Sequence, residues 1–244
     1  RGIAHSSVFA FAFGVLSVAS IGGTAAAATF QIVNIDSAGE GFNDNTPAVP
    51  VGGNEGTTVG QQRLIAFQYA ADLWGARIDT DVTIRVEASF DPLSCNSFGA
   101  VLGAAGPETA HTNFNGAPRT NTWYPASLAN AITDSDNNGG QVEIIAFFNS
   151  NLGQPNCLTG TFFYYGLDGN EGLNIDFVTV LAHELGHGLG FLSLSNSSTG
   201  QQPSGLTDAF SVHLEDHGSG DLFPDMTDFE RASASVDTGD LHCV

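Results

Sequence analysis

The residues of this chain best placed to do chemistry are His183, Glu184 and His187, in the run His183-Glu184-Leu185-Gly186-His187. Two histidines four positions apart project from one face of an α-helix, one turn from each other. That spacing lets two imidazole nitrogens reach a single zinc ion at about 2.0–2.1 Å. Glu184 stands next to the first ligand and points beside the ion rather than at it, which suits a general base. The chemistry expected is hydrolysis. Zinc lowers the pKa of a bound water towards about 7, Glu184 takes its proton, and the hydroxide attacks a peptide carbonyl polarised by the same ion. Glu184 then delivers the proton to the leaving amine.

Such a pair needs a helix beneath it. Across 173–190, Phe177, Val178, Val180, Leu181, Leu185 and Leu189 recur with a 3.6-residue period. Asn174 or Asp176 can cap its start by accepting orphan backbone N–H bonds, and Gly190 can end it in a left-handed turn. Gly186 and Gly188 each cost an ordinary helix about 1 kcal/mol relative to Ala. Their place beside the ligands therefore points to a close approach of backbone or substrate.

The nine residues His183 to Phe191, HELGHGLGF, resemble the zinc helix of the metzincin clan of metallopeptidases. They are more similar still to its leishmanolysin-like branch, whose motif also continues Gly-Phe and whose third ligand arrives after an insertion. In the clan at large a third His follows three residues after the glycine, where this chain has Ser193. The resemblance implies an α+β, zincin-like catalytic domain with a twisted mixed sheet, a backing helix and a zinc-binding helix. It implies one catalytic zinc and a protein or peptide substrate held as an added strand against a sheet edge, for which 142–148 is the candidate. It also implies a Met in a turn below the metal, and the single Met is Met226, in Pro224-Asp225-Met226-Thr227. Between helix and Met226 stand four candidates for the third ligand: Asp208, His213, Asp216 and His217. Asp208 is favoured, because it follows a Gly/Ser loop and carboxylate oxygen binds zinc well. The wider chain also looks like bacterial exported proteins in which such a unit accompanies a protease-associated domain, although none is visible here.

The elements around the motif follow from pattern. Residues 29–35 and 82–88 alternate apolar and polar residues and read as strands, and 142–148 reads as a third. Residues 61–75 carry helical spacing, with a shorter helix over 125–132. Residues 36–60 are rich in Gly, Asn, Pro and Asp and read as a long surface loop, while 91–122 show little periodicity.

Composition narrows the setting. The 244 residues hold six Arg, no Lys and 26 acidic residues, for a formal net charge of −20. That surface repels phosphate backbones and anionic lipid, so nucleic-acid and membrane partners are not expected. Residues 1–28 read as an export signal, with Arg1, an apolar run from Val8 to Leu16, and small residues at Ala25 to Ala28. The metallopeptidase domain is then 29–244, open to further sequence at its C-terminal end, in a secreted or periplasmic protein. In that setting Cys95 and Cys157 suit a disulfide, leaving Cys243 over. Acidic loops at 36–44 and 168–171 could hold calcium. A rival reading is a non-enzymatic exported adhesin or matrix module whose metal is structural, which requires four protein ligands and no open position.

Overall fold

The computed structural model describes residues 27–237, 239 and 241–244. The expected export signal falls outside them, except for Ala27 and Ala28. In chain order the elements begin with β1 (Phe30–Asn34), α1 (Val59–Gly75), β2 (Ile84–Asp91), β3 (Gly103–Pro107), β4 (Ala110–His111) and β5 (Thr122–Pro125). Then come α2 (Ala126–Thr133), β6 (Ile144–Asn149), β7 (Phe163–Tyr164), β8 (Ile175–Asp176) and α3 (Phe177–Leu189). The last are β9 (Thr207–Asp208), β10 (Leu214–Asp216), α4 (Asp228–Ala234) and β11 (Leu241–Cys243). The class is α+β, with a mixed main sheet in the order β1-β2-β6-β3. Its first three strands are parallel and β3 runs antiparallel at the edge.

Alternation in β2 and β6 sends Ile84, Val86, Ala88 and Phe90, with Ile144, Ala146 and Phe148, to one buried face. In register, Val86 lies opposite Ile144, Ala88 opposite Ala146 and Phe90 opposite Phe148. Helix α1 starts at Thr58, whose hydroxyl accepts from the Gln61 N–H. It packs on α3, α1 lying towards β1 and α3 towards β6 and β3. Aromatic rings fill the space between helices and sheet. Phe148 meets Phe67 edge-on at 5.9 Å and Phe177 at 5.1 Å, and Phe90 meets Phe177 at 5.6 Å. Each such ring is worth about 1.5–3 kcal/mol by burial alone, so the core that backs α3 is largely aromatic.

Three expectations need correction. Residues 36–60 are not simply a surface loop: a short turn at Gly41–Asn43 inserts Phe42, only 3% exposed, against Phe67 and Phe90. The Asp36 carboxylate makes this possible, accepting from the Phe42 N–H at 2.6 Å and the Phe90 N–H at 2.9 Å. A charged side chain here replaces the backbone partners that a strand or helix would supply. Second, 91–122 contains β3, β4 and the start of β5. Third, the strand read over 142–148 begins at Ile144 and lies between β2 and β3. Both its edges are hydrogen-bonded, so it cannot take an added strand; of the two outer strands, β1 and β3, the one beside α3 is β3.

Away from the main core, Leu214, Phe223, Met226 and Ala234 form a small second cluster. Helix α4 closes it through a capping box between Thr227 and Glu230. Buried Arg231 ties it to the preceding loop by donating to the Gly200 carbonyl at 2.7 Å and to the Met226 carbonyl. Cys95 and Cys157 are bridged as expected, and Cys243 is free and exposed. No helix among the described residues is long and apolar enough to cross a membrane.

Candidate metal centre

Helix α3 is capped by Asp176, whose carboxylate accepts from the Thr179 N–H at 3.1 Å. It buries Phe177, Leu181 and Leu185 in the core. The opposite face carries His183, exposed, and His187, half-buried. Their Nε2 atoms converge to 3.0 Å, with the two rings nearly perpendicular. Two donors that close lie within the roughly 4 Å that two bonds of about 2.0–2.1 Å to one ion can span.

The end of the helix settles which nitrogen of His187 faces outward. Gly190 takes φ +118°, its N–H donates to the His187 carbonyl at 3.1 Å, and the Phe191 N–H donates to the Gly186 carbonyl at 3.0 Å. This pairing is a Schellman turn, and it needs the left-handed residue that Gly supplies. The turn brings the Phe191 carbonyl to 2.8 Å from His187 Nδ1. A carbonyl only accepts, so Nδ1 carries the hydrogen and the neutral ring keeps its lone pair on Nε2, the atom facing His183. That is the tautomer and the outer partner found behind metal-bound histidines. On donor type, separation and tautomer, these two side chains fit a zinc ion.

Glu184 lies on the flank of α3 next to β3 and is 8% exposed. A Cβ placed on Gly103 would sit 3.0 Å from Glu184 Cγ and 3.2 Å from the Phe147 carbonyl, so β3 runs this close only because residue 103 is Gly. The register of β3 follows from the Asn149 N–H donating to the Leu102 carbonyl and the Glu108 N–H donating to the Glu143 carbonyl. Residues 102, 104, 106 and 108 therefore bond inward to β6, while Gly103 and Ala105 turn their N–H and C=O groups to the open edge. Pro107, which has no N–H, occupies the next outward position, where the lack of a donor is tolerated.

The glycines inside α3 have separate reasons. A Cβ on Gly188 would lie 2.5 Å from Ile144 Cγ2, so Gly188 lets the helix settle on β6. Gly186 faces Trp74, whose indole N–H donates to the Ala182 carbonyl at 2.9 Å and pins α1 to α3.

The four candidates for a third ligand lie elsewhere. Asp208 is 2% exposed, and its carboxylate accepts from the N–H groups of Leu194, Phe210 and Ser211 and from the Ser211 hydroxyl, at 2.7–3.1 Å. Ser193, in the position where the clan has its third His, lies 2.8 Å from the same Ser211 hydroxyl. Both residues thus belong to one network that fastens the segment after α3. His213 and His217 are exposed, and Asp216 accepts from the Ser219 N–H at 2.9 Å, which with the Ser219 hydroxyl holds its carboxyl below the usual range. Among the described residues no group of three or more His, Cys, Asp and Glu side chains is placed to hold a metal. The structure brings His183 and His187 together and leaves Asp208, His213, Asp216 and His217 apart from them.

In the loops considered for calcium, the carboxylates of Asp36 and Asp168 are held on internal partners. Asp36 serves Phe42 and Phe90, and Asp168 accepts from the Tyr164 hydroxyl at 2.7 Å and from Asn170. Two features beside the histidine pair escaped sequence reasoning: the β3 edge and the Phe191 carbonyl. Gly-Ala-Ala-Gly-Pro contains no β-branched residue and no alternation, and its one readable signal was Pro107, a residue confined to sheet edges. No family model, curated protein or solved structure matches this chain.

Proposed function

We propose that this chain is an exported zinc endopeptidase of zincin-like fold, with His183 and His187 as metal ligands and Glu184 as the general base. The observation that carries this reading is the convergence of the two Nε2 atoms at 3.0 Å with His187 held in its ligating tautomer. The clan assignment rests on the motif HELGHGLGF. Export is supported by the apolar N-terminal segment and by the Cys95–Cys157 bridge, which suits an oxidising compartment.

When bound, zinc supplies Lewis acidity, polarising the substrate carbonyl and acidifying water. The chain's own residues supply the rest. An extended peptide adds to the open edge of β3, pairing with the outward N–H and C=O groups of Gly103 and Ala105. Gly103 in that strand packs against the Glu184 side chain, and this reading sets the scissile bond of a peptide bound there beside the Glu184 carboxylate. Glu184 takes a proton from the attacking water and delivers it to the leaving amine. The Phe191 carbonyl keeps the His187 ring from turning.

The reading is tested with Glu184→Gln, which keeps the shape of the side chain and removes the base. Purified protein is expected to bind one zinc and cleave casein, and the variant to keep the metal while losing about 10²–10⁴-fold in rate. Undiminished cleavage by the variant removes Glu184 from this role. A catalytic zinc takes three protein ligands and a structural one four; the described residues bring two imidazoles together, so the number of ligands in the metal-bound protein separates the two readings.

A further inference from the structure

A second site lies behind α3, on the side away from β3. The C-terminal turn of α1, helix α2 and the end of α3 border a half-open cavity of about 350 Å³, walled by Trp74, Ile78, Leu128, Leu189 and Phe191. Its one hydroxyl, that of Ser127, is already committed to the Gly188 carbonyl at 2.7 Å. The Trp74 indole is fixed by its bond to Ala182, so the wall is formed before any ligand arrives. At the rim stands Arg77, which also borders an adjoining recess of about 220 Å³ beside Leu73 and Ala182. Its Nη1 donates to the Leu73 carbonyl at 2.6 Å, which anchors the guanidinium there. The arginine ion pairs among the described residues engage Arg63, Arg85 and Arg231; Arg77, like Arg119, is in none of them. In a chain with 26 acidic residues and six cations, a guanidinium at an apolar mouth without a carboxylate of its own is a specific arrangement.

An apolar cavity with one oriented charged group is the usual form of a small-ligand site, for which volumes run from about 300 to 1,000 Å³. The charge at the mouth selects an anion, and the lining selects a hydrocarbon. We infer that this cavity binds a linear apolar acid, its chain among Trp74, Leu128, Leu189 and Phe191 and its carboxylate on Arg77. The volume suits a chain of about eight to ten carbons. This site is independent of the peptidase reading and stands or falls without it.

The test is calorimetric titration of the full chain with decanoate below its micellar concentration, with tryptophan emission followed in parallel. Saturable one-to-one binding with a change in Trp74 emission is expected. Octanoate, two methylenes shorter, binds about 15-fold more weakly at about 0.8 kcal/mol per methylene. Decanol binds about three- to tenfold more weakly than decanoate, a range set by the exposure of Arg77. Arg77→Gln lowers the affinity for decanoate to that for decanol and leaves decanol unchanged; Leu128→Trp fills the cavity and abolishes both. Equal binding of acid and alcohol, an unaltered decanoate affinity in Arg77→Gln, or no saturable binding by folded protein overturns the proposal. Stronger competition by an acetylated tripeptide ending in Leu assigns the site to peptide C-termini instead. Binding only after removal of residues 1–26 assigns it to the chain's own N-terminal segment.

Discussion

Replacing Gly190 by Ala adds one methyl group at a place where space is not the constraint. A Cβ there lies 3.5 Å from Leu128 and 3.6 Å from Pro125, which is ordinary contact. The difficulty is the backbone, held at φ +118°, where an L side chain costs about 1–3 kcal/mol. The turn relieves that strain by rearranging, and rearrangement moves the Phe191 carbonyl off His187 Nδ1. Loss of such an outer partner weakens metal binding about 10–100-fold, or roughly 1.4–2.7 kcal/mol. The assay is zinc affinity by competition with a chromogenic chelator at fixed pH, alongside thermal unfolding. Two neighbouring glycines serve as controls. In Gly186→Ala the new Cβ lies 3.4 Å from Trp74, so the helix gains up to about 1 kcal/mol in propensity and the affinity holds. In Gly188→Ala the clash with Ile144 costs about 1–3 kcal/mol of stability, again with little effect on the affinity of folded protein. A Gly190→Ala protein that is destabilised yet binds zinc within twofold of the parent would refute the orienting role of the Phe191 carbonyl.

Other consequences can be measured separately. Asp208→Ala strips a buried acceptor from four donors and should lower stability by at least about 2 kcal/mol while leaving the zinc affinity of folded protein unchanged; a large affinity loss at constant stability would make Asp208 a ligand after all. Burial raises the Asp44 carboxyl pKa, but hydrogen bonds from the Thr46 hydroxyl and N–H and the charge of Arg63 outweigh it, and the net shift is downward from 3.8. Its contribution to stability is therefore full above about pH 4 and fades as pH falls through the lowered value; Asp44→Asn should flatten the acid limb of a stability–pH curve, and an unchanged limb removes Asp44 from it. Breaking the Cys95–Cys157 bridge, which spans 62 residues, should cost about 4 kcal/mol on chain entropy, read as a lower urea midpoint.

Helix α3 was legible because each of its signals is local. Period, cap and terminator for α3 all lie within 176–190, and the two histidines need only four residues of register. The Cys95–Cys157 pairing was one of three open to three cysteines, favoured for an exported protein, and the bridge is present. What stayed hidden depends on partners distant in the chain. Phe42 looked like part of a polar loop because the carboxylate that buries it also bonds Phe90, 54 residues from Asp36. Strand β3 has no propensity of its own and exists because β6 offers it a ladder. Asp208 looked like a donor awaiting a metal, because no sequence pattern reveals that Leu194 and Ser211 fold back to fill its lone pairs. The chemistry of a residue type was readable; whether that capacity is already used was not.

The brevity of β3 has a consequence for what can pair with it. Only two residues turn their backbone outward before Pro107 ends the row, and their side chains are a hydrogen atom and a methyl group. So short a ledge is a poor template for strand-to-strand self-association. It also grips a visitor weakly and only through main-chain atoms. On the proposed reading, the peptides that suit this ledge are slack ones, frayed tails and loosened loops, because a compact globule offers no bare stretch of backbone there.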